Sequence, residues 1–140
     1  MISESLNRAF RRFMSKFSGD RAFQAFRILR VAFVIAPILA GFDKFFYILT
    51  NWSAYLSPMA MRVIDGHDRA FFAIVGVVEI IAGLGVLFRP RVFAYVVSAW
   101  LLLIVVNLLM TGQYFDVALR DIGLMLSAFA LGKLAQKYDA

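Results

Sequence analysis

The sequence contains no cysteine and a single histidine, His67, among 140 residues. Without cysteine there are no disulfides, no thiol redox chemistry, no iron–sulfur clusters and no thiolate metal sites. One histidine cannot give a haem two histidine ligands. Charge is scarce as well, at 17% of residues, whereas 62% are hydrophobic and 16% aromatic. The mean hydropathy is +0.78, which excludes an ordinary water-soluble domain. A chain that lies mostly in lipid must satisfy its backbone in helices or in a closed barrel. The ten-residue polar–apolar alternation of barrel strands is nowhere present, so the expected class is all-α. Fifteen basic residues against nine acidic give a formal charge of +6. In so apolar a chain this excess points to an anionic membrane face, not to nucleic acid.

A helix needs roughly 20 mainly apolar residues to cross a bilayer. Four such stretches are expected, at about 28–49, 70–88, 92–110 and 115–134, forming an integral membrane four-helix bundle over residues 27–140. The clearest is Val92 to Met110, which follows Arg89-Pro90-Arg91 and meets no charge before Asp116. The second carries only Glu79. The first and last are interrupted, by Arg30, Pro37, Asp43 and Lys44 and by Asp116, Arg120 and Asp121, so some of these charges must enter the membrane. Pro37 predicts a kink that frees the carbonyl of Phe33.

Residues 1–26 differ in composition. At 100° per residue, Ile2, Leu6, Phe10, Phe13 and Phe17 share one stripe, opposite Glu4, Arg8, Arg11, Arg12 and Lys16,. That pattern predicts a basic amphipathic helix in the headgroup region, with Arg8, Arg11, Arg12 and Lys16 facing anionic lipid and Gly19-Asp20 as its stop. A helix docked on a partner subunit is the competing reading. A cleaved signal peptide is not expected, because no small-residue cleavage site separates the apolar run from Lys44.

With the N-terminus inside, eleven Lys and Arg fall on the inner side, against Lys44, Arg62, Arg69 and Arg120 on the other. The positive-inside rule then favours both termini on the inner, cytoplasmic side of the membrane. The one sizeable connection, Thr50 to Arg69, contains Trp52, Tyr55, Met59 and Met61 and reads as a short interfacial helix, a cap or lid formed by Trp52 and Tyr55.

At about 1.5 Å per residue, Asp43, Lys44, Glu79, Asn107, Arg120 and Asp121 all fall in the outer half of the membrane. Charges at such depth face the bundle interior and pair, so Glu79 is expected to accept from Lys44, Arg120 or both. Asp116 stands four residues before Arg120, the spacing of a helical ion pair. Gly76, Gly83 and Gly85 would let a neighbouring helix approach Glu79. The cluster can be structural glue that fixes helix register. It can also be a small polar pocket for a small molecule, a quinone headgroup or a proton path. His67, in Asp65-Gly66-His67-Asp68, reads as a polar surface turn before a metal ligand. Trp100 and Asn107, seven apart, share a helix face.

Gly41-Phe42-Asp43-Lys44-Phe45, then Gly76-Val77-Val78-Glu79 with Gly83, then Arg120-Asp121 at the opening of the last span, in that order and spacing, resemble the DoxX family of bacterial inner-membrane proteins over about residues 27–134. The resemblance implies a four-helix bundle and points to Lys44, Glu79, Arg120 and Asp121; some members are described as subunits of quinone-linked oxidoreductases or of complexes handling oxidative stress. Two function classes follow. One is a non-catalytic accessory or anchoring subunit that packs with other membrane subunits and lipid. The other is a quinone- or small-molecule-binding subunit of an oxidoreductase, in which Glu79 and Arg120 manage a proton or headgroup. The first is preferred, because this chain lacks redox-active cysteines and adequate haem or metal ligands, so any electron transfer would borrow a cofactor.

Overall fold

The computed structural model describes residues 2–139, except for the side chains of residues 13–20. Among the described residues there is no strand. The helices are α1 (Ile2–Asp43), α2 (Pro58–Ile64), α3 (Asp68–Phe88), α4 (Pro90–Thr111) and α5 (Phe115–Tyr138), with a 3₁₀ turn at Trp52–Tyr55 between α1 and α2.

Three helical segments, Arg21–Asp43, Asp68–Phe88 and Pro90–Thr111, are long and apolar enough to cross a membrane. Only 17%, 33% and 28% of the residues in their apolar windows are buried inside the protein. The exposed remainder includes Ile35, Leu39, Ile74, Ile81, Leu103 and Val106, a surface that suits lipid or a partner and not water. α5 does not reach the same measure of length and apolarity, because Asp116, Arg120 and Asp121 at its start and Lys133 and Lys137 at its end confine its apolar stretch.

Two boundaries differ from the sequence expectation. Gly19-Asp20 does not stop a helix: α1 is continuous for 42 residues and runs through Pro37. An isolated glycine costs a helix only about 1 kcal/mol, which the flanking turns absorb. The first span also ends at Asp43 and not near Leu49, for reasons given below. On the N-terminal segment, Ile2, Leu6 and Phe10 are exposed along one stripe, and Arg8, Arg11 and Arg12 are exposed too. The side chains of Phe13, Lys16 and Phe17 lie outside the described residues.

α1 packs on α3 and α4 on α5, with further contacts between α3 and α4 and between α1 and α5. The core is Phe26, Phe33, Val86, Ala94, Val97, Ala128, Leu131 and Ala135. Small residues set its spacing: a Cβ on Gly132 would come within 2.7 Å of the Tyr95 ring, and one on Gly85 would overlap Phe93. The α3–α4 turn is a single residue, Arg89, because Pro90 can start a helix where its missing N–H is not needed,. At that end the Arg30 guanidinium donates to the Leu87 carbonyl and lies 4.0 Å from the Asp139 carboxylate, so it ties α1 to the C-terminal ends of α3 and α5. At the opposite end lie the C-termini of α1 and α4, the start of α5, and the connection holding Trp52 and Tyr55.

Candidate functional site: a buried ion pair under a tryptophan lid

The site begins with two glycines. A Cβ on Gly41 of α1 would lie 2.6 Å from the Gly76 carbonyl oxygen of α3, and a Cβ on Gly76 would lie 2.5 Å from that of Gly41. The two backbones approach this closely only because neither residue has a side chain. Three residues after each glycine comes a charge. Side chains lean towards the N-terminus of their own helix, so in this antiparallel pair Lys44 and Glu79 lean back to the crossing from opposite sides. The space above Gly76 is bordered by Lys44 Cβ at 3.3 Å, and that above Gly41 by Glu79 Cβ at 3.2 Å.

Lys44 Nζ donates to Glu79 Oε2 at 2.8 Å, with both side chains under 10% exposed. Trp100 Nε1, from α4, donates to the other carboxylate oxygen at 3.3 Å. The ammonium also lies 3.8 Å from the ring centroid of Trp52, a cation–π contact at short range. The three long apolar helices and the connecting segment therefore meet on one pair of opposite charges.

Asp43 does something else. As the last residue of α1, its carbonyl accepts from Phe46 N at 2.9 Å and Tyr47 N at 2.7 Å. Its carboxylate accepts from Ile48 N at 2.9 Å, Leu49 N at 3.0 Å and Trp52 Nε1 at 3.0 Å. Tyr47 takes a positive φ of 56° to close the turn. The carboxylate thus organises residues 44–52 into a compact return, which is why the helix stops here. It also orients the indole that covers Lys44. A carboxylate at a helix C-terminus opposes the macrodipole; three N–H donors compensate.

Asn107 of α4 fastens the far side of this lid. Its Nδ2 donates to the Tyr55 carbonyl at 2.7 Å and its Oδ1 accepts from Ser57 N at 2.9 Å. Ser57 caps α2 by accepting from Ala60 N at 3.2 Å. The Tyr55 ring packs against that of Tyr114 at 4.6 Å, ahead of α5. Among the described residues no buried side-chain nitrogen or oxygen lacks a hydrogen-bond partner.

The other residues singled out in the sequence stand apart. Arg120 does not reach Glu79: it pairs with Asp116 at 3.2 Å on the exposed face of α5, with 71% and 75% of the two side chains exposed. The i,i+4 partner on its own helix is nearer than anything across the bundle, so the local pair wins. Asp121 is half-buried on α5 and hydrogen-bonds to neither Lys44 nor Glu79. His67 precedes α3, its Nδ1 3.0 Å from the Ile64 carbonyl, and no group of metal-ligating side chains occurs among the described residues. Sequence reasoning missed Trp100 as a ligand of Glu79 and Arg30 as a tie between helices. The first had a signal: an indole N–H in an apolar span needs an acceptor, and Glu79 is the carboxylate of the neighbouring span.

Comparison with protein-family models, with curated proteins and with solved structures returned no match.

Proposed function

We propose that this chain is a non-catalytic accessory or anchoring subunit of a bacterial inner-membrane complex, a DoxX-like four-span bundle with both termini cytoplasmic. The observation that carries the reading is the internal saturation of the polar cluster. Both oxygens of Glu79 are engaged, Lys44 is held between a carboxylate and an indole face, and Asp43 and Asn107 use their polar atoms on backbone of the lid. A ligand headgroup would have to displace one of these bonds, at the cost of a buried unpaired charge. The cluster is better suited to hold α1, α3, α4 and the lid in one register than to receive a substrate. In this reading α5 is the fourth span: it buries Ala128, Leu131, Gly132 and Ala135 in the core.

The length of α1 favours a partner. Forty-two residues extend about 63 Å, twice a hydrocarbon core, so the N-terminal half leaves the membrane as a continuous helix with Ile2, Leu6 and Phe10 in one exposed row. Such a stripe suits a second subunit or the lipid surface beside it.

The test is purification of the chain in mild detergent, with quinone extraction, for wild type and Glu79→Gln. The expected result is no stoichiometric quinone in either, a lower Tm for Glu79→Gln, and recovery of the wild type with other membrane subunits. Quinone bound one-to-one, and lost in Glu79→Gln at unchanged Tm, would overturn the proposal in favour of a quinone-binding subunit of an oxidoreductase.

A further inference from the structure

At the end of the molecule opposite the lid, an open cleft of about 560 Å³ lies between the α3–α4 turn and the last turn of α5, lined by Phe88, Arg89, Arg91, Val92, Gln136 and Asp139. Its volume is in the range of small-molecule sites. We infer that this cleft is a binding site for the phosphodiester headgroup of one anionic phospholipid, held by Arg89 and Arg91, with an acyl chain along Phe88 and Val92.

Four features support that occupant. First, Arg89 and Arg91 are exposed, and among the described residues neither forms an ion pair; the acid in the cleft, Asp139, faces Arg30 instead. Two guanidinium groups offer the forked donors that fit phosphate oxygens. Second, their spacing is fixed, because the turn is one residue long and Pro90 sets the start of α4. Third, the far wall is held in place: Gln136 Nε2 donates to Tyr95 Oη at 2.9 Å, and the Tyr95 ring fills the space above Gly132. Fourth, the arginines stand between the ends of two helices long and apolar enough to cross a membrane, which on the spanning reading puts them at the depth of lipid phosphates, and next to them Phe88 and Val92 are 73% and 55% exposed. A soluble anion would gain nothing from those apolar neighbours; a phospholipid would cover them. Basic pockets between spans recognise anionic headgroups by this combination.

The inference rests on the membrane-spanning reading, though not on the partner or the absence of catalysis. Its test is native mass spectrometry of the full chain released from vesicles of phosphatidylcholine doped with phosphatidylglycerol or diphosphatidylglycerol, after flotation has confirmed insertion. One tightly retained anionic lipid per chain is expected, weakened at least about tenfold in Arg89→Gln/Arg91→Gln and retained in Arg62→Gln, which removes an exposed arginine of α2 at the lid end. The arginines are exposed, so Tm without lipid should not move. Inorganic phosphate and glycerophosphoglycerol are expected not to compete at lipid-equivalent concentrations; if they displace the lipid, the site is one for a free anion and the lipid assignment is wrong. Equal retention in the Arg89/Arg91 variant, or occupation of the cleft by an acidic segment of a co-purified subunit, also overturns it. Failure to float with the vesicles would refute the spanning reading itself.

Discussion

Separating Lys44 from Glu79 should be far more harmful than removing both. In Lys44→Met the Glu79 carboxylate keeps Trp100 as a donor but loses its cation in a site under 10% exposed. In Glu79→Leu the ammonium keeps only the Trp52 face. Each change leaves one buried charge without its partner, a loss of about 3–5 kcal/mol. The double variant leaves no charge; its main defect is the orphaned Trp100 Nε1, worth about 1–3 kcal/mol. The coupling between the two positions is therefore expected to reach roughly 3 kcal/mol or more. At about 3 °C per kcal/mol for a chain near this size, each single variant should lose on the order of 10 °C in Tm and the double variant about half of that. Fluorescence suits the measurement, because the chain has two tryptophans and both touch the pair. A double variant as unstable as the sum of the singles would show that the charges do not hold each other, and the account of the site would be wrong.

Gly76→Ala is expected to force α1 from α3, since its Cβ would lie 2.5 Å from the Gly41 carbonyl, and to lower Tm by several degrees; Gly123→Ala, with open space around it, should leave Tm unchanged or raise it slightly. Asn107→Ala removes two hydrogen bonds to the lid, a loss of about 1–3 kcal/mol, and should speed hydrogen exchange over residues 44–57 while the α3–α4 turn is unaffected. Arg120→Gln breaks only an exposed pair, worth about 0.3–0.5 kcal/mol, so its Tm should stay within a degree or two of wild type; a large drop would place Arg120 in the core of the site. Because there is no native cysteine, single cysteines report orientation directly: Gln113→Cys should react with an impermeant maleimide added to spheroplasts, and Ser3→Cys and Lys137→Cys only after the membrane is opened.

The membrane-crossing character was legible because hydropathy sums over some 20 residues, and no local detail alters such a sum. Three of the four expected spans coincide with long apolar helices, and depth counting placed Lys44 and Glu79 close enough to pair. The small residues Gly76, Gly83 and Gly85 were expected to admit a neighbouring helix near Glu79; Gly76 and Gly83 do lie against α1, whereas Gly85 lies against Phe93 of α4. Rotation was not legible. Depth alone gave Arg120 and Asp121 the same outer half as Glu79, but Arg120 faces outward, and only the packing of α5 on α4 through Ala128, Leu131 and Ala135 sets that angle. Asp43 was misread for a related reason. It has the depth of an intramembrane ion, yet it is the helix terminator, spending its carboxylate on Ile48, Leu49 and Trp52. A one-dimensional hydropathy reading carries no information about which way the chain turns after Asp43.

The two ends of the molecule handle charge in opposite ways, and the difference separates structure from recognition. Around Lys44 the cation is desolvated, and it is tolerable only because the glycine crossing brings Glu79 within 2.8 Å and the Asp43-oriented indole covers the remaining face. Each element there depends on the next, so loss of any one leaves a buried charge without its partner or cover and the penalty falls on stability. Arg89 and Arg91 are exposed and, among the described residues, form no ion pair, so removing them leaves no described group unsatisfied and the loss falls on whatever anion they bind. Substitutions at the lid should therefore move Tm, whereas those at the α3–α4 turn should move lipid retention at constant Tm. A variant at the turn that melted the protein would contradict that division.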